Sequence, residues 1–227
     1  MCSSKRWVNN FFVFVLMLMP MVSFGQQWLR SMVVDGKLYV YTDMWNNTTS
    51  TSERKLWVYD GTNSPTVLKE FESNQYMDHL QSVDNKLVIF TSQYSSGNSQ
   101  YKIWVYDPSA DTVPIEKVTL SSHIGNLLQF NDKLYFTSYS SSSHYLYSFD
   151  GSDITNEANL GHQWPRNLIG YDGKIFFNKY AGSNGTTSTY TFYSYNGTDL
   201  TAGKTIAGSP SEFIEFNDKL YLSLIHI

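Results

Sequence analysis

The sequence predicts an all-β chain built from repeated four-stranded antiparallel units, and three observations carry that expectation. Of 227 residues, 16% are aromatic and only 16% charged, the usage of pleated surfaces, which favour aromatic and β-branched side chains over Glu, Lys and Ala. One pattern recurs as DGKLYVYT from Asp35, DNKLVIFT from Asp84, NDKLYFTS from Asn131, DGKIFFNK from Asp172 and NDKLYL from Asn217; its lysines at 37, 86, 133, 174 and 219 are spaced by 49, 47, 41 and 45 residues. That spacing matches one four-stranded propeller blade, about 40–50 residues. A second pattern interleaves with the first: LWVYDGT from Leu56, IWVYDPS from Ile103, LYSFDGS from Leu146 and FYSYNGT from Phe192.

Taken in order, the chain opens with Lys5 and Arg6, an apolar run from Phe11 to Val22 interrupted by Pro20, and small residues at Ser23 and Gly25. This is the composition of a secretory signal peptide, residues 1–25, because a bilayer-spanning helix needs about 20 apolar residues. Its removal takes away the only cysteine, Cys2, leaving 14 basic and 20 acidic residues, and disulfide, thiol and thiolate–metal chemistry go with it. The mature chain is expected to be extracytoplasmic: secreted, periplasmic or on the cell surface.

Within each unit, an apolar run ends in Asp-Gly, Asp-Asn or Asn-Asp and resumes with Lys-Leu-Tyr. Such a two-residue step between alternating runs is a hairpin signal, since these residues tolerate positive φ. A polar loop follows, as in NNTTSTS at 46–52 or SSSS at 140–143. The third strand then carries Trp57, Trp104, Tyr147 and Tyr193 on one face and Leu56, Ile103, Leu146 and Phe192 on the other. A strand apolar on both faces lies between neighbours, the situation of a propeller blade. Asp-Gly-Thr and its relatives close this strand in a self-capped turn, and a short fourth strand is expected, for example Thr66 to Lys69. The units fill residues 26–221 with four blades and the opening hairpin of a fifth, a fragment of a longer propeller. Residues 222–227, LSLIHI, match the translation of a transposon sequencing-adapter end and are set aside.

KLWVYDGT at Lys55–Thr62 resembles the ELWxxDGT repeat of secreted bacterial proteins, with Lys55 where that family has Glu. The resemblance covers Asp35 to Tyr221. It implies a propeller-like fold and, since members of such families are often large surface proteins exported through a C-terminal sorting domain, export by the type IX route.

Several function classes are excluded or disfavoured. A net charge of −4 offers no basic field for nucleic acid. Metalloprotease, nucleophile-elbow, phosphate-loop and calcium-loop motifs are absent. The histidines at 79, 123, 144 and 162 lack metal-ligand spacing and read as solvated loop residues. Asp60, Asp107, Asp150 and Asn196 read as turn caps rather than calcium ligands, since Asn196 brings no charge. No cofactor and no metal are expected.

Trp45 and Trp164 stand at no repeated position, which suits surface aromatics in a glycan or protein contact. Five residues before each hairpin turn, where the first strand of a blade begins, the residue changes from copy to copy: Arg30, His79, Asn126, Asn167 and Glu212, with Asp78 and Arg166 beside them. Variable polar residues on a repeated scaffold mark the face where function sits. The binding candidates are therefore Trp45, Asp78, His79, Asn126, Trp164, Arg166, Asn167 and Glu212, on the side of the blade-to-blade connectors. The leading expectation is a non-enzymatic surface module binding a glycan or protein; the alternatives are a structural spacer of a larger adhesin, and a polysaccharide lyase or hydrolase with an acidic pair across the propeller mouth, Asp78 and Glu212 being its candidates.

Overall fold

The computed structural model describes residues 28–95 and 98–225, so the expected signal peptide lies outside the described residues. Among the described residues eighteen strands build five sheets. The first holds β1 (Trp28–Val34), β2 (Lys37–Asn46), β3 (Thr51–Tyr59) and β4 (Thr66–Phe71); the second β5 (Gln75–Val83), β6 (Lys86–Ser95), β7 (Asn98–Tyr106) and β8 (Ile115–Leu120). The third holds β9 (Ile124–Phe130), β10 (Lys133–Ser140), β11 (Ser143–Phe149) and β12 (Ile154–Gly161); the fourth β13 (Pro165–Tyr171), β14 (Lys174–Ser183), β15 (Ser188–Tyr195) and β16 (Leu200–Ala207); the fifth only β17 (Ser209–Phe216) and β18 (Lys219–Ile225). Each four-stranded sheet runs in sequence order. This is an incomplete β-propeller array of four-stranded antiparallel blades. No helix among the described residues is long and apolar enough to cross a membrane.

Local chemistry sets the strand ends. All five hairpin steps adopt positive φ at both central residues: Asp35 and Gly36, Asp84 and Asn85, Asn131 and Asp132, Asp172 and Gly173, Asn217 and Asp218. That geometry matches the twist of the flanking strands. The turns after the third strands are held by their own side chains. Asp60 accepts hydrogen bonds from the backbone of Thr62 (2.9 Å) and Asn63 (2.8 Å), Asp150 from Ser152 and Asp153 (both 2.9 Å), and Asn196 from Thr198 (2.9 Å) and Asp199 (2.7 Å). Because an amide serves at Asn196 as a carboxylate does at Asp60, the repeated position needs an acceptor and not a charge. Leu222 to Ile225 continue β18, Leu222 opposite Phe213 and Ser223 opposite Glu212.

The chain divides into two compact units, Met1–Tyr94 with Trp104–Glu116, and Ser95–Ile103 with Lys117–Ile227. In the first, Val34, Tyr39, Tyr41, Leu56, Leu80, Leu87 and Ile89 form the core. The indoles of Trp57 and Trp104 are half-buried, their N–H groups donating to the Thr42 hydroxyl (3.0 Å) and the Thr91 hydroxyl (3.1 Å). Burial pushes the Tyr41 hydroxyl up to about 12. In the second, Tyr135, Leu146, Leu160, Ile175, Phe177 and Tyr195 form the core. Tyr147 stacks on Phe136 at 5.4 Å and Tyr193 on Phe177 at 5.5 Å, so a ring pair replaces the Trp–Thr bond in these blades. The space between the third and fourth blades is tight enough that a Cβ on Gly170 would lie 2.0 Å from the Phe130 ring.

Candidate functional site

Four of the five first strands are not regular, while β1 pairs with β2 without a slip. The ladder slips at Asp78 in β5, at Asn126 and Leu127 in β9, at Asn167 and Leu168 in β13, and at Ser211 in β17. Asn126 and Asn167 adopt φ of 49° and 57°. Such bulges re-aim a side chain and are enriched beside functional sites. Here they aim the two asparagines at the next blade: the Asn126 amide donates to the Pro165 carbonyl (2.9 Å) and the Thr137 hydroxyl (3.1 Å), and the Asn167 amide to the Pro210 carbonyl (3.3 Å). Their amide N–H groups thus tie blade to blade.

Above the bulges of β5, β9 and β13, on the connector side, a ring stack repeats with changing chemistry. The residue three places before the repeated variable position packs on the residue two places before the buried leucine or isoleucine of a third strand. In the first unit Tyr76 lies over the Arg54 guanidinium at 3.9 Å, and Arg54 is paired with Asp43 at 2.9 Å. In the second unit His123 meets Tyr101 edge-on at 5.7 Å, and Trp164 meets His144 edge-on at 4.8 Å. Trp164 also touches His123 (6.2 Å), and His144 packs on Tyr139 (4.8 Å). Tyr101, His123, Trp164, His144 and Tyr139 thus form one continuous aromatic surface. Gly125 makes room for it, since a Cβ there would stand 3.3 Å from the Trp164 ring.

The electrostatics follow from burial. His144 is 5% exposed, which corrects its reading as a solvated loop residue: it sits on β11, opposite Tyr139, with rings on two sides. Burial, with the nearby Lys179 charge, holds its pKa below the ordinary histidine value. Lys179 is itself held low by burial; its ammonium donates to the Leu160 carbonyl (2.5 Å) and lies 3.9 Å from the Tyr193 ring centre. Trp164 and Tyr139 stay open, at 44% and 40% exposed.

The other expected residues are distributed as follows. Trp45 is 52% exposed at the end of β2. Asp78 accepts from the Ser92 hydroxyl (3.0 Å) and His79 packs edge-on to Phe90 (6.3 Å), both half-buried on β5. Arg166 is exposed on β13 beside buried Pro165, and Glu212 is exposed on β17. Arg30 is exposed on β1. Trp164, Arg166, Asn126 and Asn167 share the connector side of the second unit; Trp45, Asp78 and His79 belong to the first. Tyr139, His144 and Lys179 were not singled out by sequence, and the one signal for them was their fixed offset from repeated strand positions. Among the described residues no group of three His, Cys, Asp or Glu side chains is placed to hold a metal ion.

No protein-family model matches the chain, and no curated protein does. Solved structures do. The β-propeller domain of the trilobed protease from Pyrococcus furiosus, which has an open velcro topology, superposes with a TM-score of 0.60 at 12% identity, over 90% of this chain and 69% of that one. An exo-β-1,3-galactanase from Phanerochaete chrysosporium gives 0.44 at 8% identity over 88% of this chain and 59% of its own, and a β-1,3-galactosidase of glycoside hydrolase family 43 gives 0.44 at 9% identity over 88% and 89%. The likeness is one of fold. With glycoside hydrolases among the solved structures that match, the expectation that the chain is not an enzyme is overturned. The physical reason is that a carboxylate pair several Å apart can come from strands remote in sequence, so missing local motifs say nothing against it.

Proposed function

We propose that the chain is the propeller portion of an extracytoplasmic polysaccharide-acting protein that grips its glycan on the Trp164 surface. The observation that carries this reading is the open Trp164 ring, fixed in place by His144 and His123 and flanked by exposed Tyr139. A rigid aromatic face with apolar area and adjacent hydrogen-bonding groups suits the C–H faces of a sugar ring, and such anchors concentrate binding energy. The N-terminal segment and the DGT repeat support an extracytoplasmic site of action.

For chemistry on the bound glycan we assign Glu212, in the same unit as Trp164, as a carboxyl candidate. It lies beside a bulge in the first strand of its blade, where a side chain is turned out of the ladder, and glycoside cleavage draws on carboxyl groups. The test is a panel of polysaccharides and oligosaccharides assayed for binding by tryptophan fluorescence and for release of reducing ends. Trp164→Ala is expected to weaken binding about tenfold or more, the loss of one anchor, with the fold retained by circular dichroism. Glu212→Gln is expected to abolish release with binding kept. Unchanged binding in Trp164→Ala would remove the site from this role.

A further inference from the structure

We infer that the first unit carries a second sugar-binding platform, Tyr76 with Tyr94, which takes one pyranose ring on its C–H face; this rests on the glycan reading above and adds a site to it. Tyr76 occupies the repeat position of Trp164: it stands three places before His79, as Trp164 stands three places before Asn167. Tyr76, Tyr94 and the residues that hold them all belong to the first unit, whereas Trp164 belongs to the second. Both tyrosine rings are open, Tyr76 at 40% and Tyr94 at 50% exposed. They meet edge-on with ring centres 5.8 Å apart. The ladder sets Tyr76 opposite Ser92, so Tyr94, two residues further along the strand, falls on the same face.

These rings differ from scattered surface tyrosines in how firmly each is held. Tyr76 lies on the Arg54 guanidinium at 3.9 Å. Arg54 is 5% exposed; its Nε donates to the Asp43 carboxylate (2.9 Å) and a terminal N–H to the Ser73 carbonyl. A buried ion pair contributes little net stability, so the consequence of this one is geometric: a flat support fixes the Tyr76 ring. Tyr94 is held through its backbone. Its N–H donates to the Asn74 carbonyl (3.1 Å), and its carbonyl accepts from the Asn74 side-chain amide (3.0 Å). Rings already immobilised lose little freedom when a ligand settles on them, and tyrosine offers broad apolar area with a polar edge. Asn74 also accepts from the Gln93 amide (3.4 Å), which donates in turn to exposed Glu72 (2.7 Å). An amide–carboxylate chain thus adjoins the Tyr94 clasp, the kind of group that exchanges hydrogen bonds with sugar hydroxyls.

The experiment titrates the full chain by calorimetry with xylotriose, cellotriose, mannotriose and a galactotriose, and carries the trisaccharide that binds into Trp164→Ala, Tyr94→Ala and the double variant. Two equivalents are expected on the unaltered chain and one on each single variant, the affected site being weakened about tenfold or more by loss of its anchor. The double variant is expected to bind none. Tyr94→Ala is chosen over a change at Tyr76 because Tyr76 also covers Arg54, and an unchanged melting temperature shows that the fold is kept. A single equivalent that disappears in Trp164→Ala would overturn the second platform and leave the glycan reading standing. Two equivalents that persist in Tyr94→Ala would do the same. If no trisaccharide binds the unaltered chain, both readings fall together.

Discussion

Glu157 illustrates how a single carboxylate is accommodated between two blades. It accepts from the Ser148 hydroxyl (2.5 Å) on its own blade and the Tyr195 hydroxyl (2.7 Å) on the next, with the Lys133 ammonium at 3.6 Å. Burial pushes its pKa upward, but the two hydroxyls and the lysine outweigh that and hold it below the ordinary glutamate value. The same contact, after burial, drives the Tyr195 hydroxyl well above the usual tyrosine range. Removing one partner leaves the others buried and unpaired, which costs about 1–3 kcal/mol. Glu157→Ala is therefore expected to lower the unfolding free energy measured in urea by that amount, while Glu157→Gln, which keeps the acceptor, should recover part of it. Equal loss in both variants would show that charge, and not the hydrogen bonds, matters here.

At the scale of strands, four of the five first strands are bulged and two of them, β9 and β13, are clamped to the next blade by Asn126 and Asn167, and the space between ribbons is set by what passes between them. Phe130 at the end of β9 lies against Gly170 of β13 so closely that any side chain at 170 must displace the ring. Gly170→Ala is expected to destabilise by about 1–3 kcal/mol through overpacking, and Phe130→Leu in the same chain to restore much of it; an additive loss in the double variant would refute a direct clash. These elements differ in how far sequence disclosed them. The hairpin turns were legible because Asp-Gly and Asn-Asp state their own φ, and β4, of which only Thr66 to Lys69 was expected, proves to run from Thr66 to Phe71. Trp45 and Trp164 were legible as surface aromatics from their absence in the repeat. The Tyr139–His144–Trp164 stack was not: its members come from different strands, and nothing in His144 by itself distinguishes a ring held between two others from a loop histidine. Asn126 and Asn167 were legible as variable polar positions, but their engagement with Pro165 and Pro210 depends on a bulge that side-chain alternation cannot reveal.

For the molecule as a whole, acid stability should be limited by the second unit. His144 is depressed from 6.5, so below that value the unfolded chain binds a proton that the folded chain refuses, and stability falls as pH falls. Glu157 adds a contribution that is present above its unfolded value of 4.5 and lost as pH falls through its lower folded value. The lowered carboxylates of the first unit, Glu53, Asp60 and Asp107, are solvated turn and edge groups, where screening leaves little stabilisation. Hydrogen exchange between pH 7 and 4 is expected to show amides of residues 117–225 losing protection first, and His144→Gln to flatten the slope between about pH 5 and 6.5, the range in which an ordinary histidine titrates. Earlier loss in residues 28–94 would contradict this order.

The self-capped turns have a further electrical consequence. Hydrogen bonds from their own backbones and side chains hold the Asp60, Asp107 and Asp150 carboxyls below the ordinary aspartate range. Mild acid therefore leaves these clasps shut, since each acceptor is still ionised where an ordinary aspartate has lost its charge.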